Sequence, residues 1–374
     1  MASASLSPEP CRQSGVARRP ATVASPQECL ARLRGLGYRG QERAARAASV
    51  LLYRHVRRVE RLAVGQSVPF HRTNYLFMGP TGCGKTFLVE LLTSILKVPS
   101  VIVDLTRYTE AGYVGSNVSG IPTLLLDAAG GDATAAAGGI VCLDEFDKLA
   151  ASRSNARFAG EGSTKDVSGL GTQRGLLTLL SAREYPLSDE HGTPLRGHGT
   201  LPLRGVTFIA CGAFTELKAT VRGMSQEPRI GFGRRAAPTA GWPSEIAVAM
   251  DQDIQENTAA FAVYGFMPEL IGRFSRAVVF DPLEEETLTS ILRDSVLAQY
   301  IEEFAAEGHR LEVEEGAVAA VVHSAKRRQT GARGLHAAIQ PQLDEAAFEC
   351  FGKAPALVRV RCAGESLAVE VNGQ

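Results

Sequence analysis

The chain has 374 residues, enough at about 150 residues per domain for two to three domains. Hydrophobic residues make up 45% and charged residues 21%, and 40 Lys plus Arg balance 40 Asp plus Glu. That zero net charge excludes a protein whose main task is coating nucleic acid or an anionic membrane, because both need a basic excess. No apolar run approaches the roughly 18 residues of a transmembrane helix. The seven cysteines, Cys11, Cys29, Cys83, Cys142, Cys211, Cys350 and Cys362, include no CxxC pair. Neither a zinc site nor a disulfide framework is expected from them.

Residues 1 to about 26, rich in Ser, Ala, Pro and Arg, read as a flexible tail. Arg12, Arg18 and Arg19 among serines resemble a transit peptide but lack an amphipathic run, so organelle targeting is left open. Helical periodicity follows from about Pro26 to Val64, and its basic cluster, Arg54, His55, Arg57, Arg58 and Arg61, reads as a solvated helix face. From Asn74 short apolar runs alternate with helical stretches. Tyr75–Met78, Val101–Val103, Ile140–Leu143, Val206–Ile209 and Ala277–Phe280 read as strands buried on both faces, hence a parallel sheet flanked by helices. Stretches 151–166 and 222–260 read as long loops. After Pro282 the texture is helical, Glu284 to about Tyr300 and Glu314 to about Phe351, and two short strands close the chain. The expected division is a tail (1–26), a large α/β domain (27–282) and a small, mainly helical domain (283–374).

Gly79-Pro80-Thr81-Gly82-Cys83-Gly84-Lys85-Thr86 fits GxxxxGK[ST] in full, directly after a strand and before the helical run Phe87–Leu96. Glycines let backbone N–H groups wrap phosphates, and the helix N-terminus adds positive potential. Lys85 is expected to reach the β- and γ-phosphates and the Thr86 hydroxyl to ligate Mg²⁺. Fifty-eight residues on from Thr86, an apolar strand ends in Asp144-Glu145. The first carboxylate suits the Mg²⁺ shell and the second can polarise an attacking water. That pairing favours an ATPase with its own base over a small-molecule kinase, and the absence of an NKxD motif argues against GTP.

These residues and their surroundings resemble the AAA+ family of ATPases and, within it, the ClpX group of unfoldases. The similarity runs from about Leu36 to about Phe351. Gly37–Glu42 looks like the segment that packs on adenine. Gly112, Tyr113, Val114 and Gly115, within Thr109–Gly115, resemble the first pore loop, whose aromatic residue grips a translocating polypeptide. Asp166–Gly169, with Thr164 and Lys165 before it, looks like the region of the second pore loop. Pro268–Arg273 is similar to the box that carries the arginine finger, and Gly331–Leu335 to the sensor-2 motif with Arg333. Ile230, Gly231 and Phe232, with Gly233, match the loop that docks on a ClpP-like peptidase.

The resemblance implies an ATP-dependent protein unfoldase that uses ATP and Mg²⁺ and forms a hexameric ring. Glu145 would be the base, with Lys85 and a neighbour's Arg273 completing the catalytic set. Protein substrates and a ClpP-like peptidase are the expected partners, with no nucleic acid and no membrane, in a bacterial-type cytoplasm. A peptidase-independent remodelling chaperone and, less favoured, a nucleic-acid motor are the alternatives. Several features depart from the group. Its N-terminal zinc-binding module has no counterpart in the tail, which holds only Cys11, so no zinc is expected. The segment Asp189–Arg196 does not match the basic pore-entrance loop, residues 128–139 lack the usual charges, and no polar side chain stands near Cys211 where sensor-1 falls. Only 24 residues separate Gly115 from Ile140, too few for the large insertion of the HslU relatives.

Overall fold

The computed structural model describes residues 23–66, 73–108, 117–150, 167–189, 193, 199–215, 217, 258–363 and 366–373. Two helices lead in, α1 (Pro26–Gly35) and α2 (Glu42–Ala63). Ser25 caps α1 by accepting from the Glu28 N–H, with Pro26 in the first turn, where its missing donor costs nothing. The single helical run read from the sequence breaks at residues 36–41, where Gly37, Gly40 and Gln41 take left-handed backbone.

Five strands follow: β1 (Tyr75–Met78), β2 (Ser100–Asp104), β3 (Ile140–Asp144), then, after a side hairpin of β4 (Glu184–Pro186) and β5 (Thr200–Pro202), β6 (Thr207–Gly212) and β7 (Arg276–Val279). The main sheet has the order β2-β3-β6-β1-β7, every neighbouring pair parallel. All residues of β1 and β6 are buried, as continuous apolar runs require when helices cover both faces. The helices of this part are α3 (Lys85–Leu96), α4 (Ile121–Ala128), α5 (Ala133–Ala136), α6 (Val167–Ser181), α7 (Thr258–Tyr264) and α8 (Pro268–Ile271). One hydrophobic cluster packs α2 and α3 against the sheet from one side, and a second packs α4, α6, α7 and α8 from the other.

Past Pro282 a separate core forms, running from Leu288 to Val360. It joins α9 (Glu285–Ile291), a widened turn at Leu292–Leu297, α10 (Ala298–Ala306), α11 (Glu315–Arg327) and α12 (Ala332–Cys350) to a small sheet ordered β10-β9-β8. There β8 is Arg310–Val313, β9 is Ala356–Ala363 and β10 is Ser366–Gly373.

Three further sequence readings need correction. His55 and Arg58 are not on a solvated face: both are buried, in a hydrogen-bonded line in which Arg58 donates to the Thr207 hydroxyl. That hydroxyl donates to His55 Nδ1 at 2.9 Å, and His55 Nε2 donates to the Gly138 carbonyl at 3.0 Å. Only Arg54, Arg57 and Arg61 of the cluster face water. The run Glu314–Phe351 is two helices, parted where Gln329 and Gly331 take positive φ. The loop read at 222–260 ends earlier, because α7 begins at Thr258; its remainder, like 151–166, lies outside the described residues.

Candidate nucleotide site

The loop from Gly79 to Gly84 leaves the end of β1 and enters α3, whose first residue is Lys85. Gly79, Gly82 and Gly84 all have positive φ, and Gly84 caps α3 at φ 93°. Such backbone is what lets a glycine loop aim N–H groups at an anion in front of the helix. Lys85 is buried, and its ammonium donates to the carbonyls of Gly79 and Pro80 at 2.7 and 2.9 Å. A buried ammonium held by two neutral carbonyls and, at 3.8 Å, the Cys83 sulfur is suited to receive an anion, which is what a nucleotide's phosphates supply. Burial pushes the Cys83 thiol up, against the lowering pull of the Lys85 charge, so Cys83 packs as a neutral thiol.

The acidic pair stands opposite. The Thr86 hydroxyl donates to Asp144 Oδ2 at 3.0 Å, joining the head of α3 to the end of β3. Hydroxyl and carboxylate so placed are the hard oxygen donors that Mg²⁺ takes beside phosphate and water. Glu145 sits at φ 54°, ψ 35°, uncommon for a side chain of its size, and its N–H donates to Asp144 Oδ1 at 2.9 Å. Asp147 completes the turn: it is buried and accepts from the Ala213 N–H at 3.0 Å, fixing the exit of β6 against the end of β3. A Cβ on Gly212 would come within 2.8 Å of Asp147 Oδ1, so that approach needs glycine. Cys211, near the expected sensor-1 place, is buried with its sulfur 3.8 Å from that of Cys142.

An open cleft of about 920 Å³ collects these groups. Residues 81–87, Asp144 and Glu145 line it together with Gly37, Tyr38 and Arg39, the Tyr38 ring stacking on Phe87 at 6.2 Å, and Leu283, Ile291 and Ser295 line it from the C-terminal part. Arg333 lines the same cleft from the first turn of α12. Gly79 and Pro80 form the loop's entry and do not line it.

Arg273 is not brought to this cleft. It is exposed on the turn after α8, its carbonyl accepting from Asn74 Nδ2 at 3.0 Å. Residues 112–115, with Tyr113, and 230–232, with Phe232, lie outside the described residues, as do 164–166. Val167–Gly169 belong to the first turn of α6. Sequence reasoning missed Asp147, although a third carboxylate at the end of β3 was visible in Asp144-Glu145-Phe146-Asp147. It also missed the cleft wall at Leu283, Ile291 and Ser295, whose apolar and small residues carry no motif.

The family described as AAA domain (Cdc48 subfamily) matches residues 71–277, and that of the C-terminal, D2-small domain of ClpB protein matches 283–350. The ATP-dependent Clp protease ATP-binding subunit ClpX of Azotobacter vinelandii is 37% identical over 326 residues, 83% of this chain and 70% of that protein. The subunit of the same name from Treponema denticola is 32% identical over 315 residues, 83% of this chain and 74% of that protein. The chain belongs to the AAA+ ATPases, and these relatives place it with the ClpX-type, ATP-dependent unfoldases. It is an ATPase and uses a nucleotide with Mg²⁺.

Proposed function

We propose that this chain spends ATP to unfold protein substrates and passes them to a ClpP-like peptidase, as a cytoplasmic hexameric ring. The observation that carries the reading is the convergence of Lys85, Thr86, Asp144, Glu145 and Arg333 on one cleft in a chain of this type. Bound Mg-ATP supplies a terminal phosphoryl group open to attack by water. Residues 81–86 hold the phosphates through backbone N–H groups and the Lys85 ammonium, with Gly79 and Pro80 shaping the loop's entry. Thr86 and Asp144 hold Mg²⁺, and Glu145 takes the proton of the attacking water. Arg273, exposed and away from its own cleft, serves the cleft of a neighbouring subunit, which requires a ring. Arg333 reports the nucleotide's state to the small domain, 283–374, which turns against the large domain, 27–282, at a hinge near Pro282. Tyr113, between Gly112 and Val114-Gly115, grips the polypeptide, and Ile230-Gly231-Phe232 enters an apolar cleft on the peptidase.

The test is degradation of a folded fluorescent protein carrying unstructured tags, with ATP, with and without a ClpP-type peptidase. Loss of fluorescence that needs both ATP and the peptidase supports the reading. ATP turnover and unfolding indifferent to the peptidase transfer it to a peptidase-independent remodeller, and ATPase stimulated by DNA transfers it to a nucleic-acid motor.

A further inference from the structure

Glu145 and Arg273 serve two different clefts in the reading above, yet the residues that follow them touch. The rings of Phe146 and Phe274 meet edge to face, centroids 5.3 Å apart at 75°. Phe146 also stacks on Phe266, at 5.1 Å and 11°. Phe266 comes just before α8 and Phe274 just after it, so the short element bearing Arg273 is gripped at both ends by one ring. All three phenylalanines are buried, Phe146 completely. Phe214, from the segment that Asp147 anchors, closes the cluster against Phe146 and Phe266.

The main chain around each functional residue has little slack. Glu145 is fixed in left-handed backbone with its N–H on Asp144. The Arg273 carbonyl is tied to Asn74, which also accepts, through its own carbonyl, from the N–H and hydroxyl of Ser275. Close-packed aromatic rings shift as a body rather than flow around one another. A displacement of Glu145 therefore reaches Arg273 through one covalent step, one ring contact and a second covalent step.

We propose that Phe146, Phe266 and Phe274 are positioning residues that couple the catalytic base of one cleft to the arginine offered to the next. The inference rests on the roles given above to Glu145 and Arg273. Phe146 and Phe274 touch neither nucleotide nor substrate; they set where the two polar side chains stand. An aliphatic side chain of similar volume would keep the core filled but lose the fixed ring geometry.

Mixed rings test it, because they read the neighbour's hydrolysis and not the variant's own. Wild-type subunits are assembled with Glu145→Gln subunits, which bind ATP without contributing turnover, and the second change is placed in the inactive partner. Arg273→Ala there is the reference arm, and Phe274→Leu is the test arm. The expected result is a neighbour rate lowered by Arg273→Ala, and lowered about 3- to 10-fold by Phe274→Leu, with the melting temperature and ring size of Glu145→Gln alone. Phe146→Leu in the same partner should lower the neighbour rate similarly, and the pair together should cost less than the product of the two singles. If Arg273→Ala leaves the neighbours unaffected, the finger reading itself fails. If Arg273→Ala slows them and Phe274→Leu does not, or if the two Leu changes act independently, the coupling is overturned. Should Phe274→Leu fail to assemble, Phe274→Met, closer in reach and still apolar, gives the same comparison.

Discussion

The N–H of Ala332 donates to the carbonyl of Gly82 at 3.0 Å, so the phosphate loop and the start of the last long helix meet backbone to backbone. There is no room for a side chain on either side. A Cβ on Gly82 would lie 2.0 Å from the Thr330 carbonyl oxygen, and one on Gly331 would lie 2.5 Å from the Gly82 carbonyl oxygen. Gly331 also sits at φ 57°, ψ −145°, a region essentially reserved for glycine. The part of the chain that bears Arg333 is thus keyed directly to the candidate phosphate loop.

Gly331→Ala should break that key. The clash and the strained backbone, on the order of 1–3 kcal/mol, are relieved most easily by lifting α12 off the loop. Titration with a fluorescent ATP analogue should show affinity reduced by about 5- to 100-fold, while the melting transition of the core running from Leu288 to Val360 moves little. Unchanged affinity would mean that the contact between Gly82 and Ala332 has no part in binding.

Glu145→Gln should bind ATP as the natural chain does and hydrolyse it about 10²- to 10⁴-fold more slowly, the range of a lost general base. Lys85→Met should fail at binding instead, because it removes the one ammonium buried in the loop. Measuring bound nucleotide and phosphate release on both variants separates the two roles, and near-normal turnover by Glu145→Gln would refute the assignment of the base.

The hydroxyl–carboxylate contact of Thr86 and Asp144 makes a claim about Mg²⁺ alone. Asp144→Asn should raise the Mg²⁺ concentration needed for half-maximal hydrolysis by about tenfold or more, and leave nucleotide binding in the presence of a chelator unchanged. An unaltered Mg²⁺ dependence would remove Asp144 from the metal's surroundings.

The large sheet and the phosphate loop were legible because their physics is local. Strands such as Tyr75–Met78 and Ile140–Leu143 are buried on both faces and so carry unbroken apolar runs, and the structure places them at 75–78 and 140–144. The glycine spacing before Lys85 likewise encodes its own backbone shape. Burial of charge was not legible: His55 and Arg58 look identical in sequence to their solvated neighbours, and only the pairing of α2 with Thr207 and Gly138, 149 to 152 and 83 residues away, decides otherwise. The cleft wall at Leu283, Ile291 and Ser295 was hidden for the same reason, since it exists only once the C-terminal core folds against residues 37–39.

The pore-loop role proposed for Tyr113 makes a functional claim of its own. Tyr113→Ala should retain ATP hydrolysis while losing the ability to unfold a tagged folded protein, because a large, sequence-tolerant side chain is what provides grip. Single-turnover unfolding measured beside ATPase rate makes the distinction, and unfolding at the natural rate would withdraw Tyr113 from translocation.

His55 makes the stability of the chain around the main sheet depend on pH. Desolvation, helped by the nearby Arg58 charge and opposed by the hydrogen bond to Gly138, pushes its pKa down from 6.5 to about 3. The unfolded chain therefore takes up a proton below pH 6.5 that the folded chain refuses until about pH 3. Its contribution is fully present above pH 6.5 and is lost as pH falls, by about 1.4 kcal/mol per unit, or about 2 kcal/mol at pH 5. His55→Gln keeps a donor for the Gly138 carbonyl and an acceptor for the Thr207 hydroxyl but cannot titrate. Urea unfolding at pH 7 and pH 5 should show the natural chain losing about 2 kcal/mol more than the variant over that interval. Equal losses in the two would show that His55 is not the group that titrates on unfolding.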